Sequence, residues 1–207
     1  DAQNTRYRDA VSYLDSQKLI SGFADGGIHP YARVNRAEAL KLMLTAQRRF
    51  AENLSQHTLH PSRLPLFWDV QTTVWYSPYV ETAFEMGFVR GYADSSFRPG
   101  NSVTLAEALT LLARTESWNV AASNPWYQSV LDEAKKRNLL SNKESWKAGM
   151  ILNRGQLMDI VYRSAIARSQ GLIAFNDPAP SPVRAPTAVA YRPTTTTTRP
   201  TPVAQAT

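Results

Sequence analysis

Two segments of this chain share one pattern at a constant offset of 69 residues. Residues 19–40 and 88–109 align without a gap, and Gly, an aromatic residue, Ala, Asp, Pro, Val, Glu and Leu recur in register. Such a repeat indicates that one supersecondary unit was copied and that the copies bury their apolar faces against each other. A third, more divergent copy is marked by Trp126 and by Asn153. The sequence therefore predicts an array of three repeats.

Each repeat is predicted to be a helix, a loop and a second helix. In repeat 2, apolar and aromatic residues three or four positions apart follow one helical face, and Gly87 predicts the end of that helix. Asn138 takes the place of Gly87 in repeat 3, and Asn also tolerates the left-handed conformation of a helix terminus. The stripe in repeat 2 consists of Tyr76, Tyr79, Val80, Ala83 and Phe84.

The three second helices are each predicted to begin with a capping box. In this motif the first side chain accepts a backbone N–H, and the side chain three residues later reaches back to the first residue. The caps are Asn35, Thr104 and Asn153, and their partners are Glu38, Glu107 and Gln156.

The repeats predict the organisation of the chain. Repeat 1 covers residues 1–47 and is expected to begin just inside the repeat, and residues 48–63 form a spacer that is expected to extend the preceding helix. Repeat 2 covers 64–116, and repeat 3 covers 117–172. From residue 177 to 207 the chain is rich in Pro and Thr and poor in apolar bulk, which predicts a disordered tail.

Composition excludes several classes of function. The 207 residues contain no Cys, which excludes disulfides and thiolate metal sites. No run of 18 apolar residues occurs, so no membrane-spanning helix and no membrane insertion are predicted. The net charge of +6 includes three Arg residues of the tail, and no Lys/Arg stripe of the kind used for nucleic acid is present. A nucleic-acid partner is therefore not expected.

Catalytic motifs are missing from the sequence. There is no Gly-x-Ser-x-Gly elbow, no phosphate loop and no Cys nucleophile, and no pair of acids recurs in a way that suggests a glycosidase. His57 and His60 are three residues apart without an obvious third ligand, so a zinc site is not expected. The sequence predicts a protein without catalysis, metal or cofactor.

Repeat 2 resembles the S-layer homology (SLH) domain. Its string reads Phe-x-Asp-Val from Phe67, Trp-Tyr-x-x-Tyr-Val-x-x-Ala from Trp75, and Gly-x-Val-x-Gly-Tyr-x-Asp from Gly87, then Phe-Arg-Pro from Phe97 and Val-Thr-Leu-Ala-Glu from Val103. Repeat 1 matches the second half well, and repeat 3 has lost the Gly-Tyr-x-Asp-Gly loop. The resemblance implies a mainly α fold with a pseudo-threefold spindle around a central three-helix bundle made by the first helices.

The resemblance also implies a site. In SLH proteins an Arg at the start of the second helix contacts a pyruvate-bearing sugar of a cell-wall polymer, and the unpaired N–H groups of a helix start favour an anion. Arg36 and Arg154 match that position, and Leu105 does not, so the Arg36 groove beside repeat 2 is the better candidate and repeat 3 is mostly structural. The candidate ligand-binding residues are Arg36, Asn35, Arg154, Asp69, Trp75, Gly91 and Tyr92.

Each of these candidate residues could instead have a purely structural role. Arg36 could pair with a neighbouring acid, Asp69 could cap a helix, and Gly91 could serve a turn with positive φ. Trp75, Tyr76 and Tyr79 sit on the apolar stripe, so they are more readily core residues than a sugar platform. Because the first helical position is usually exposed, Leu105→Arg is expected to fold and to restore a groove.

Three functions are compatible with the sequence. The first is a non-catalytic anchor at the bacterial cell surface that binds an anionic, pyruvylated wall polysaccharide or a glycan linked to peptidoglycan. The second is a structural envelope or S-layer protein whose repeats pack on protein chains, with self-association as one outcome. The third, a nucleic-acid binder, is the least supported. The first predicts an extracellular location in the cell wall or S-layer.

Overall fold

The computed structural model describes residues 6–59 and 64–177. Within these ranges the chain is helical and contains isolated β-bridges but no strand, which confirms the predicted mainly α fold. The predicted tail, apart from Asp177, lies outside the described residues, as does His60. The helices are α1 (Arg8–Ser16), α2 (Arg36–Thr45), α3 (Ala51–Leu59), α4 (Ser77–Glu85), α5 (Leu105–Thr115), α6 (Gln128–Lys136) and α7 (Arg154–Ser169).

Capping boxes start α2, α5 and α7. At α2, the Glu38 backbone N–H donates to Asn35 Oδ1 at 2.9 Å, and Glu38 Oε2 accepts the Asn35 backbone N–H at 3.0 Å. The same reciprocal pair occurs at Thr104 and at Asn153. All three predicted capping boxes are confirmed, so local side-chain chemistry determines where the second helices begin.

The first helices end at residues with left-handed backbone. Gly87 has a φ of 71° and Asn138 a φ of 51°, as predicted, and Lys18 has a φ of 57° at the end of α1. The next residue in each case returns a backbone N–H to the preceding helix, for example from Phe88 to the Ala83 carbonyl at 2.8 Å. Each helix is thereby closed by a C-terminal cap.

Each first helix packs against a second helix from a different predicted repeat. α1 lies on α7, α4 on α2, and α6 on α5, while α2 also contacts α5 and α7. The expectation that the first helices form the centre is therefore wrong, because the second helices meet one another. The reason is apolar coverage: α2 buries six of its ten residues, spread over more than half of its circumference, whereas α6 buries only Val130 and Ala134. The pseudo-threefold spindle stays a prediction.

A closed ring of backbone hydrogen bonds joins the segments that precede the second helices. The Val34 N–H donates to Leu152 O at 3.2 Å, Leu152 donates to Val103 O at 3.0 Å, and Val103 donates to Val34 O at 3.2 Å. All three residues are nearly or fully buried. The ring therefore brings the three helix starts close together, and this is where the candidate site residues lie.

The spacer between repeats 1 and 2 forms a helix of its own. α2 ends at Thr45 and does not continue into it; a 3-10 turn (Arg48–Phe50) and α3 follow, and α3 packs on α4. The two ring nitrogens of His57 lie 3.1 and 2.9 Å from carboxylate oxygens of Glu81 and Glu85. Among residues 6–59 and 64–177, no group of acids and histidines is arranged to hold a metal ion, and no helix there has the length and apolar content to cross a membrane.

Candidate functional site

The backbone N–H groups at the starts of the second helices are occupied by the protein itself. The first two N–H groups of α2 donate to the Asn101 and Pro99 carbonyls at 2.9 and 3.1 Å, and α5 and α7 do the same with the loop of another repeat. The cap side chain accepts the third. The expectation of unpaired donors is therefore wrong: the helix starts join the repeats, and recognition of an anion falls to side chains.

The two Arg residues at the helix starts have matching surroundings. Arg36 Nε donates to the Phe97 carbonyl at 3.1 Å, and Arg36 Nη1 lies 3.7 Å from Glu107 Oε1. Arg154 Nε donates to the Ile28 carbonyl at 3.0 Å, and its Nη1 lies 3.3 Å from Glu38 Oε1. Both side chains are largely buried, 18% and 14% exposed. Each guanidinium is thus held by a carbonyl and a capping-box carboxylate from another repeat.

An aromatic ring lies against each of these guanidinium groups. Arg36 Cζ is 5.3 Å from the centre of the Tyr92 ring, and Arg154 Cζ is 4.6 Å from the centre of the Phe23 ring, distances typical of cation–π contacts. On the same rings, Arg98 Cζ approaches Tyr92 to 4.0 Å, and the His29 ring lies 5.0 Å from Phe23. The equivalence of Phe23 and Tyr92 follows from the 69-residue offset, so the repeat itself is the signal by which Phe23 could have been found.

These residues line two equivalent grooves. Groove A has a volume of about 180 Å³ and lies between the Arg154 helix start and the loop of repeat 1. Groove B has a volume of about 300 Å³ and lies between the Arg36 helix start and the loop of repeat 2. Groove A is lined by Leu19, Ile20, Ser21, Gly22, Phe23, Val34, Glu38, Lys41, Leu42, Trp75, Arg154, Leu157 and Met158. Groove B is lined by Arg36, Ala39, Phe88, Val89, Arg90, Gly91, Tyr92, Phe97, Val103, Glu107, Thr110, Leu111, Arg114 and Trp126.

A tryptophan from the start of the following repeat lines each groove. Trp75 is 53% exposed in groove A, and Trp126 is 61% exposed in groove B. The reading of Trp75 as a core residue is therefore wrong; Tyr76 and Tyr79, which share its stripe, are the ones packed against the core. An exposed indole beside a cation offers a flat apolar face for the C–H surface of a sugar ring, as aromatic side chains at interfaces do.

Two of the candidate residues, Asp69 and Asn35, lie outside the linings of the grooves and have structural roles. The Asp69 carboxylate accepts backbone N–H groups from Phe97 at 2.8 Å and from Arg98 at 2.7 Å, so it holds the loop of repeat 2 and caps no helix. Asn35 caps α2. Arg36, Gly91 and Tyr92 line groove B, whereas Arg154 and Trp75 line groove A. The candidate set thus divides into two grooves and two supporting residues.

The third helix start, at Leu105, has a different environment. Leu105 is fully buried, so the expectation that this position is exposed is wrong. The adjoining loop of repeat 3 supplies Glu144, whose carboxylate contacts Gln156 Nε2, accepts from the Tyr7 hydroxyl at 3.0 Å and pairs with Arg6 at 3.0 Å. The helix start that lacks an Arg therefore adjoins the diverged loop of repeat 3. At this position, side chains of the protein itself contact one another.

Asp94 is expected to titrate well below the usual pKa of an aspartate carboxyl group. Hydrogen bonds from Ser96, at 2.6 Å from the hydroxyl and 3.1 Å from the backbone, and from Arg98 at 3.0 Å lower the pKa of Asp94 to about 2. Since the folded pKa is below the usual 3.8, this stabilisation is present above pH 3.8 and is lost as the pH falls through 2.

Carboxyl NMR measures this directly. The Asp94 resonance should titrate near pH 2, and the Ser96→Ala variant should raise its midpoint by more than Arg98→Gln does, because the bond to Ser96 is the largest cause. A midpoint near 3.8 in the unchanged chain would show that the loop is not held as described.

Comparison with known proteins supports the resemblance that repeat 2 carries. Residues 67–109 match the family model of the S-layer homology domain. The chain is 28% identical over 129 residues to a middle cell wall protein of Brevibacillus brevis, covering 62% of this chain and 12% of that protein. It is 27% identical over 129 residues to a surface layer protein of Brevibacillus choshinensis, covering 62% and 11%. It is 30% identical over 112 residues to a cellulosome-anchoring protein of Acetivibrio thermocellus, covering 51% and 23%.

The predicted resemblance is thereby confirmed for one segment: residues 67–109, within repeat 2, match the S-layer homology domain. The chain spans only 11% to 12% of the length of the two Brevibacillus relatives. Some glycosidases are also similar, with the chain covering 8% to 16% of their length.

Proposed function

We propose that this chain is a non-catalytic anchoring module that attaches a protein to the bacterial cell surface by binding an anionic glycan of the cell wall. Grooves A and B are the proposed binding sites. The observation that carries the proposal is that both grooves combine a guanidinium, an aromatic ring beside it, a carboxylate that orients it and an exposed tryptophan. An Arg positioned in this way suits a carboxylate on a sugar.

The guanidinium groups of Arg36 and Arg154 each keep a donor nitrogen that can bind a ligand. Arg36 and Arg154 each use Nε and Nη1, and Nη2 of each has no partner among residues 6–59 and 64–177. A carboxylate such as that of a pyruvate ketal can accept a hydrogen bond from Nη2, while the neighbouring indole covers the sugar ring. Glu38 and Glu107 hold the cations in place before the ligand arrives, which reduces the ordering cost of binding.

The relatives support attachment rather than catalysis. One is named a cellulosome-anchoring protein and another a middle cell wall protein, and the glycosidases match over a small share of their length. An attachment module shared by wall proteins and by large enzymes accounts for both kinds of relative. The location at the cell surface follows from the same proposal.

Sedimentation with purified sacculi tests this function. We expect the chain to sediment with intact sacculi and to stay in solution once the pyruvylated polymer has been chemically removed. The Arg36→Ala, Arg154→Ala double variant should weaken binding at least about tenfold, because each charge-assisted hydrogen bond contributes about 1.5–3 kcal/mol. Melting curves for every variant separate lost binding from lost structure.

Arg8→Ala is the matched control, since the Arg8 side chain is 62% exposed and lies on α1. It should sediment like the unchanged chain. Binding that survives removal of the polymer would reject the glycan and favour packing on envelope proteins. A double variant that is folded and binds normally would reject the two grooves.

A further inference from the structure

Grooves A and B differ in the charge of their lining residues, although both are built from equivalent parts of the repeats. Groove A is lined by two cations, Lys41 and Arg154, and by the carboxylate of Glu38. Groove B is lined by three Arg residues and by one carboxylate, that of Glu107. The 69-residue offset shows where the difference arises: Arg90 occupies the position of Ser21, and Arg114 that of Thr45. The excess positive charge of groove B therefore comes from repeat 2.

Arg90 is the cation of groove B that has no structural task. It is exposed, and it forms no hydrogen bond or ion pair with the residues that the structure describes. Arg114, in contrast, donates from Nη1 to the Phe88 carbonyl at 2.8 Å, and Arg36 is held by Phe97 and Glu107. An unpaired guanidinium on the wall of a groove that already contains Arg36 provides a second attachment point for negative charge.

Groove B also has more room. In groove A, Lys41 Nζ lies 5.5 Å from the centre of the Trp75 ring and covers part of that indole. In groove B the equivalent of Lys41 is Thr110, whose hydroxyl donates to the Ala106 carbonyl at 2.8 Å. The shorter side chain is consistent with the larger volume of groove B, about 300 Å³ against about 180 Å³.

We infer that groove B binds a glycan segment with two anionic groups, one at Arg36 and the other at Arg90. Groove A binds a segment with one, because the Lys41 ammonium, its second cation, lies against the Trp75 ring. Arg90 is thus a residue that determines specificity between the grooves. This inference rests on the proposed function and extends it, because it states that the two sites prefer different stretches of the polymer.

Calorimetry with two synthetic disaccharides, one carrying a single pyruvate ketal and the other carrying two, tests the inference on the full chain. The singly charged probe should bind both grooves with similar affinity. The doubly charged probe should bind one groove about tenfold more tightly than the other, and that difference should shrink as salt is added.

Reciprocal variants identify the residue. Arg90→Ser should abolish the difference between the two affinities for the doubly charged probe, and Ser21→Arg should give two tight sites. Both positions lie outside the helices, and melting curves confirm folding. An unchanged pair of affinities in Arg90→Ser, with binding still lost in Arg36→Ala, would overturn this inference and leave the proposed function standing. If neither probe binds the unchanged chain, the proposed function itself fails.

Discussion

Replacing Leu105 with Arg is expected to lower the free energy of unfolding by about 3 kcal/mol, because the charge enters a site without a carboxylate to receive it. Leu105 is fully buried in the larger apolar cluster. At the equivalent positions, Arg36 and Arg154 lie beside Glu107 and Glu38. The corresponding capping-box residue of repeat 3 is the uncharged Gln156. Chemical denaturation followed by circular dichroism measures the loss.

Two further variants make this prediction sharp. Leu105→Met keeps the volume and the apolar character, so it should cost less than about 1.5 kcal/mol. Adding Gln156→Glu together with Glu144→Gln to Leu105→Arg should recover part of the stability. The new Arg and Glu then resemble Arg36 with Glu107, and the second change avoids two carboxylates in contact at the Gln156–Glu144 hydrogen bond. Glu144 is already engaged by Arg6, Tyr7 and Gln156 and is not available as a partner. A Leu105→Arg chain as stable as the unchanged one would show that the helix start is open to solvent.

The features that sequence predicts well are those decided within a few residues. The side chain of a capping residue and that of the residue three positions later come into contact at any helix start. Asn35, Thr104 and Asn153 therefore predict where the second helices begin. Gly87 and Asn138 predict helix ends for an equally local reason, because both residue types tolerate a positive φ. The family resemblance then gives the class of fold, and its Arg position gives Arg36 and Arg154.

The structural features that the sequence does not predict depend on which repeats contact each other in the folded chain. Arg154 belongs to the diverged repeat 3, yet its partners are Ile28 and Glu38 of repeat 1. A ranking based on how well each repeat is preserved therefore leaves out that Arg154 has the same kind of surroundings as Arg36. Trp75 lies on an apolar stripe, but it leaves the core because its ring lines a groove formed with α7 and the loop of repeat 1. Such pairings are decided by chain topology rather than by local pattern.

Gly91→Ala is expected to destabilise the chain by about 3 kcal/mol and to remove groove B. An added Cβ at Gly91 would lie 2.3 Å from Phe67 Cε1 and 2.8 Å from the Ser96 carbonyl oxygen, and the φ of 39° already disfavours a side chain. Overpacking costs about 1–3 kcal/mol and left-handed backbone about 1–2 kcal/mol. Since Phe67 is a buried member of the core around α4, it cannot move aside freely. Denaturant unfolding measures the loss.

Gly100→Ala is the matched control, because a Cβ there would meet nothing within 4 Å and its φ is not in the left-handed range. It should be close to neutral. Where Gly91→Ala remains folded, calorimetry with the singly pyruvylated disaccharide should show one site instead of the two proposed, because Tyr92 follows Gly91 directly and stacks on Arg36. Groove A should keep its affinity, since Phe23 and Arg154 lie on the loop of repeat 1 and on α7. Loss of both sites together in a folded variant would show that the grooves are coupled and that neither binds independently.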